Sequence, residues 1–525
     1  MSDTQPPGWF DVLVSTIVVG LAPLRPVDVV AVARYGAEVQ LTDDAVTAMT
    51  ESRGHIEALA AGSTPAYGVS TGFGALANRH IPAGLRAALQ RSLIRSHAAS
   101  AGDDVEREVV RALMVLRLRT LATGRTGIHP QTARTLAALI NAGITPIVRE
   151  YGSLGCSGDL APLSHVALAL MGEGAVRDAE GVRRRAADAL TAAGITPVDL
   201  AAKEGLALIN GTDGMLGMLL LACHDLTELV KVADLSAAMS VEALLGTDRV
   251  FAADLQELRP QPGQQLAAAN MRRLLADSPI MESHRGPDCT LVQDAYSLRC
   301  APQVAGAARD TLTHALSVAA NELDSVIDNP AVLPDGRVES NGNFHGAPVG
   351  YVLDFLAIVT ADVASIAERR TDRMLDVHRS NGLPPFLAAD PGVDSGHMIA
   401  HYTQAAVVSE LKRLAVPASV DSIPTSAMQE DHVSMGWSAG RKLRKAVDGL
   451  RLVLAIEVLT AARALDLRAP LLPGPATGAV VAALRRTVPT VGPDRWLAPE
   501  IDAAVAAVAD GTLLSAAESV TGSLS

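Results

Sequence analysis

Gly152, Ser153, Gly155, Cys156, Ser157, Gly158 and Asp159 crowd into one short stretch of the run from Tyr151 to His165, just ahead of Pro162. Glycine content alone describes a turn before a helix. The spacing excludes two phosphate loops, because Gly152, Gly155 and Gly158 do not spell GxGxxG and no Lys-Ser/Thr pair follows. The order Cys156-Ser157-Gly158 allows a different chemistry. Gly158 has no side chain, so its amide nitrogen can approach the carbonyl carbon of residue 156 more closely than any other residue allows. If that attack closes a five-membered ring, Ser157 can lose its hydroxyl as water and leave an exocyclic methylidene conjugated to the ring. The product is an electrophile made from backbone.

This segment resembles the motif GS(V/L)GASGDLAPL(S/A)H of the aromatic amino acid ammonia-lyases, whose methylidene-imidazolone (MIO) group forms from Ala-Ser-Gly. The resemblance runs over nearly the whole chain, with separated blocks in the family's order. One ring position departs, Cys156 standing where Ala is usual. Ring closure uses only the main chain there, so the resemblance still implies an MIO from Cys156, Ser157 and Gly158, now carrying a thiol-bearing arm. A reactive role for Cys156 is the alternative. No diffusible cofactor and no metal are implied, and the chain has no HExxH or paired His-carboxylate spacing.

The remaining blocks take their roles from the same resemblance. Tyr67-Gly68-Val69-Ser70-Thr71-Gly72-Phe73-Gly74 is similar to YGxxTGFG, in which Tyr67 would be the base that removes the β-proton. An ordinary phenol ionises near pH 10, so that role demands surroundings that stabilise phenolate. Asn210 in Leu208-Ile209-Asn210-Gly211-Thr212 would bind substrate and orient the MIO site; alone, Asn-Gly is only a turn signal. The block Gln293 to Gln303 resembles QDxYSxRxxPQ. There Arg299 would grip the substrate carboxylate through its planar guanidinium, Tyr296 would hydrogen-bond near the MIO and Gln293 would line the site. Asp328-Asn329-Pro330 and Gly342-Asn343-Phe344-His345-Gly346 continue the series, with Phe344 packed beside the electrophile.

Gln429-Glu430-Asp431-His432 bears on the substrate. Members acting on phenylalanine or tyrosine tend to carry Gln at the position of Glu430, whereas those acting on histidine carry Glu. A carboxylate can accept an imidazole N–H, which a benzene ring does not offer. Ser96-His97 resembles the selectivity pair of the histidine-specific members, and His97 could bond the substrate ring. Met428 stands where many of those members have Asn. The expectation is loss of ammonia from L-histidine to give trans-urocanate. An MIO-dependent lyase or 2,3-aminomutase acting on another aromatic amino acid is the nearest alternative, and an oligomeric scaffold with an uncyclised triad is the non-enzymatic one.

Positioning such groups falls to helices. From Leu356 the apolar positions Val359, Val363 and Ile366 recur at helical steps, and Leu443, Val447, Leu450 and Leu454 repeat the pattern. Both stripes need partner helices. Asp103 and Glu106 read as a capping box before Val109, Leu113 and Leu116. Alternating strand patterns are short, as in Val12 to Val19. The fold expected is mainly α: a central bundle of long helices and an N-terminal domain carrying the MIO loop. The divisions expected are 1–220, 221–485 and 486–525. The resemblance further implies a homotetramer with each active site assembled from three subunits.

Composition agrees. The 525 residues allow three or four core units at roughly one domain per 150. Lys+Arg number 44 against Asp+Glu 57, a net charge of −13 that argues against coating nucleic acid or an anionic membrane. The partner expected is a small molecule. Cys156, Cys223, Cys289 and Cys300 are too sparse for a disulfide scaffold, which suits reduced thiols in a cytoplasm. Asp3 and Asp11 sit where a signal peptide wants basic and then uncharged residues, and the longest purely apolar runs, such as Met215 to Cys223, fall short of the ~20 residues of a membrane helix. The expectation is a soluble protein.

Overall fold

In the computed structural model of the chain, residues 16–62, 67–72, 74–76, 78–286 and 292–525 are described. Asp3, Asp11, Phe73, Cys289 and the 12–15 part of the expected strand lie outside them. Within the described residues that strand is β1 (Ile17–Val19), which pairs in parallel with β2 (Val39–Leu41). A second small sheet pairs β3 (Ala101–Asp104) antiparallel with β4 (Arg149–Tyr151), and so delivers the chain to the start of the glycine-rich loop.

The rest is mainly α, as the stripes require. The helices that matter for the site are α1 (Arg86–His97), α2 (Arg107–Ala122), α3 (Leu160–Leu170), α4 (Glu204–Ile209) and four long ones: α5 (Asp213–Ala243), α6 (Ala301–Asp324), α7 (Ala347–Leu375) and α8 (Gly436–Asp466). The Leu356 stripe lies on α7 and the Leu443 stripe on α8. The expected capping box is corrected. Asp103 is drawn into β3 by pairing with β4, and Glu106 sits at the N-cap of α2 without a side-chain capping bond. Its carboxylate instead accepts from Arg441.

Two compact units emerge. The first holds the described residues up to His224 with Leu316–Asp354 and Pro417–Arg441; the second holds those of Asp225–Ala315, Phe355–Val416 and Lys442–Ser525. In the second, Leu226 and Val230 of α5, Ala308 and Leu312 of α6, Leu356 and Val363 of α7, and Leu450 of α8 converge on one small apolar cavity. Beside this core, Glu457 is fully buried and accepts from Ser236 and Ser240 at 2.7 Å and from Arg370 Nη2 at 2.9 Å. Such a buried pair adds little net stability but penalises a slipped register, since either partner left alone would be a buried unpaired charge. By length and composition α7 could cross a membrane. The periodic small residues and threonines lengthen its apolar stretch beyond the pure runs visible in sequence, yet 61% of that stretch is buried in the protein and Arg370 near its end is ion-paired. It is a bundle helix.

Candidate active site

The loop after β4 is held in the first unit from several directions. Gly155 adopts φ +69°, and its carbonyl accepts Gly346 N at 2.9 Å and Ser434 Oγ at 2.9 Å. Gly158 adopts φ +77° and pairs with Gly211 as an isolated parallel bridge, while Asp159 N donates to Gly211 O at 2.7 Å. A Cβ on Gly158 would strike the Gly211 backbone, so both the dihedral and the close approach require glycine. Asp159 is completely buried. Its Oδ1 accepts Ser153 Oγ at 2.8 Å, and its Oδ2 accepts Gly214 N and Met215 N at 2.9 Å in the first turn of α5. Those otherwise unpaired helix amides favour the carboxylate, but burial outweighs them and pushes its pKa up to about 7. A tight bend with no room at Gly158 suits the MIO, whose ring draws on the main chain at 156 and 158.

Glu430 closes over the triad. Its Oε2 accepts Cys156 Sγ at 3.2 Å and Thr425 Oγ1 at 3.0 Å, and its Oε1 accepts Ser157 Oγ at 3.0 Å. Thr425 and Glu430 also exchange backbone hydrogen bonds of 3.0 and 3.3 Å across a turn in which Ser426, Ala427 and Met428 have φ of 53°, 52° and 69°. Left-handed non-glycine residues cost roughly 1–3 kcal/mol each. Met428 is 66% exposed, so packing does not select it there; Asn, expected at this position from the resemblance to many histidine-specific members, tolerates this conformation better. Burial first, and then Glu430, push the Cys156 thiol up to about 12. That favours a protonated donor over the reactive thiolate weighed as the alternative.

His97 ends α1 with Ser96 Oγ at 3.0 Å from its Nδ1. Burial lowers its pKa, while a bond to the Leu93 backbone and the charge of Glu430 pull the other way, so the ring is neutral at pH 7. Tyr67 is half-buried, and its phenol oxygen accepts Gly74 N at 3.3 Å. Asn210 is buried just after α4, with Nδ2 donating to Leu206 O at 3.1 Å, and its neighbour Gly211 carries the bridge to Gly158. Phe344 is half-buried on the loop whose Gly346 binds Gly155. The rings of His345 and His432 stack on each other at 5.4 Å, with Nε2 and Nδ1 3.3 Å apart. The expected residues of the first unit therefore meet in part: Cys156, Ser157 and Glu430 touch, His97 feels Glu430, and the Asn210 and Phe344 loops bond to the triad loop.

Gln293, Tyr296 and Arg299 lie in the second unit. Gln293 is exposed, Tyr296 is 71% exposed, and the Arg299 guanidinium sits 4.6 Å from the Tyr296 ring centroid. Arg299 Nε and Gln303 Oε1 are buried and have no hydrogen-bond partner among the described residues. The unpaired Arg299 Nε–H is a donor on a cationic group and fits an anionic ligand, whereas the Gln303 carbonyl oxygen could only accept a hydrogen bond. Residue spacing assigns no role to Ser153, Thr425 or the His345–His432 stack. Glu430 and its surrounding block were legible, but nothing in residue spacing points to Thr425 as its second donor.

A family model described as aromatic amino acid lyase matches residues 24–486. The chain is 64% identical over 510 residues to a histidine ammonia-lyase of Streptomyces avermitilis, covering 97% of this chain and 99% of that one. It is 48% identical over 498 residues to a histidine ammonia-lyase of Gloeobacter violaceus, covering 95% and 96%. Among solved structures, a tyrosine aminomutase from Streptomyces globisporus is similar with a TM-score of 0.91 at 37% identity, covering 97% of this chain and 100% of that one. A histidine ammonia-lyase from Trypanosoma cruzi has a TM-score of 0.88 at 37% identity, covering 96% and 95%.

Proposed function

The chain belongs to the aromatic amino acid lyase family, and on that premise we propose that it is a histidine ammonia-lyase, eliminating ammonia from L-histidine to leave trans-urocanate. The observation that carries the substrate assignment is the Glu430 carboxylate held against Cys156 and Ser157. It places a hydrogen-bond acceptor for an imidazole N–H beside the reacting triad. The similarity to an aminomutase shows that this fold hosts a second outcome, but the relatives that are 64% identical act in name as histidine ammonia-lyases.

The MIO, characteristic of the family, would form here from Cys156, Ser157 and Gly158 with loss of two waters, and would supply an electrophile that makes the amine a leaving group. Tyr67 takes the β-proton on its phenol oxygen. Arg299 holds the substrate carboxylate in a fixed pose, with Tyr296, Gln293 and Asn210 ordering the groups around the amine. Phe344 packs beside the triad and excludes water. Glu430 and the neutral His97 recognise the imidazole, where charge develops as the β-proton departs.

We further propose a homotetramer whose active sites each draw on three subunits, working in the cytoplasm. The apolar residues Tyr351, Phe355 and Ile358, 58%, 45% and 43% exposed along one face of α7, support subunit contact. The thiols of Cys156 and Cys300, unbridged among the described residues, suit a reducing compartment.

Purified protein incubated with L-histidine, L-phenylalanine and L-tyrosine tests the activity by product identity. Urocanate from histidine is expected, and its absence removes the assignment. Ser157→Ala is expected to abolish most turnover and to restore the full uncyclised mass.

A further inference from the structure

Glu430 has two oxygens with different futures. Oε1 accepts from Ser157 Oγ at 3.0 Å, and that hydroxyl is the group that leaves as water when residues 156–158 condense. Oε2 accepts from Cys156 Sγ at 3.2 Å and from Thr425 Oγ1 at 3.0 Å, and neither donor is consumed, because ring closure uses only the main chain of residue 156. Condensation therefore frees one oxygen and leaves the other anchored. Glu430 sits just after the turn through Ser426, Ala427 and Met428, and the hydrogen bonds that restrain its side chain come from Thr425 and from Cys156 and Ser157 on the triad loop.

From this geometry we propose that the Cys156 thiol and the Thr425 hydroxyl are positioning groups for substrate recognition: they hold Glu430 so that its freed oxygen meets the substrate imidazole N–H. The proposal rests on Glu430 recognising the imidazole, as stated above. Alanine, the usual family residue at 156, supplies no such donor, so this chain carries a restraint that the family motif lacks. Cys156 is only 7% exposed, which shields the thiol–carboxylate contact from water. Its thiol stays protonated, burial and Glu430 both holding its pKa high, so it acts as a donor.

The experiment compares wild type with Cys156→Ala, Cys156→Ser and Thr425→Val. Intact mass, read as the loss of two waters, first establishes which variants have closed the ring. Among ring-closed variants, Cys156→Ala and Thr425→Val should each raise KM for L-histidine about three- to tenfold, a larger change than any fall in kcat, as expected for the loss of one ordinary side-chain hydrogen bond while the other donor still holds Glu430. Cys156→Ser, which restores a donor, should recover most of the loss. Binding read without turnover gives a second measure. In a Ser157→Ala background, where Oε1 is already free, adding Cys156→Ala should weaken urocanate binding by calorimetry several-fold, whether or not the single variant closes its ring.

Unchanged KM and unchanged urocanate affinity in both the Cys156 and Thr425 variants would overturn the proposal. So would a ring-closed Cys156→Ser no better than Cys156→Ala, since the effect would then belong to side-chain size. A wild type that forms no urocanate would instead defeat the reading of Glu430 and of the reaction.

Discussion

Ser157 Oγ lies 3.0 Å from Glu430 Oε1, although 273 residues separate the two in sequence. On the proposed function, Ser157 would lose this hydroxyl as the prosthetic group forms and Glu430 would remain to meet substrate, so one contact would serve both maturation and recognition.

Glu430→Gln keeps the shape of the side chain and removes its charge. We expect kcat/KM for L-histidine to fall roughly 10- to 100-fold, the value of a hydrogen bond to a charged group, and the preference for histidine over phenylalanine to narrow. Intact mass should still show the loss of two waters. Unaltered selectivity would remove Glu430 from substrate recognition.

Tyr67→Phe deletes the hydroxyl that accepts Gly74 N at 3.3 Å. Loss of a general base costs about 10²- to 10⁴-fold, and that fall should appear in kcat with KM changed little. Steady-state kinetics on histidine decide it, and a wild-type kcat would exclude Tyr67 as the base.

Gly158→Ala forces a side chain into a left-handed position against the Gly211 backbone. The strain alone is about 1–3 kcal/mol, and the displaced loop should keep Gly158 N away from the residue 156 carbonyl. Mass spectrometry should find the full uncyclised chain. A normal loss of two waters would show that the bend tolerates a Cβ.

The Cys156 thiol, pushed up to about 12, should resist alkylation. Iodoacetamide at pH 8 is expected to leave Cys156 unmodified in the native protein and to modify it after denaturation, as read by peptide mapping. Rapid native labelling would mean that a thiolate exists there.

His397 is 2% exposed, with Nδ1 3.2 Å from Thr460 Oγ1; burial first, and then Arg463 and other nearby arginines, push its pKa down to about 3. The unfolded chain takes up this proton near the ordinary value of about 6.5 and the folded chain does not. The contribution is therefore fully present above about pH 6.5 and is lost as pH falls toward 3, by roughly 1.4 kcal/mol per pH unit. His397→Gln should show a shallower decline of the thermal midpoint from pH 7 to 4.5. An identical decline would assign the acid sensitivity to other groups.

What could be read from the chain was local. Ring closure involves Cys156, Ser157 and Gly158 alone, so adjacency states the chemistry, and the stripes from Leu356 and Leu443 state helices because their period is that of the helix itself. The recognition roles expected of Glu430 and Arg299 came from the family resemblance, and residue type supplied only the chemistry each would use, an acceptor for an N–H and a bidentate donor for a carboxylate.

Contacts between distant loops decided the rest. Asp103 and Glu106 have the spacing of a capping box, yet pairing of β3 with β4 takes the first and Arg441 takes the second. Asp159 stands at the N-cap of α3, yet its carboxylate turns to the first amides of α5, beyond the reach of any spacing rule. The orientation of Glu430 depends on Thr425, Cys156 and Ser157 arriving from two loops at once. A sequence specifies which groups a chain owns and how each segment bends; which oxygen faces which hydrogen is set only when packing closes those loops on one another, because hydrogen bonds act over about 3 Å while the loops are joined by hundreds of residues.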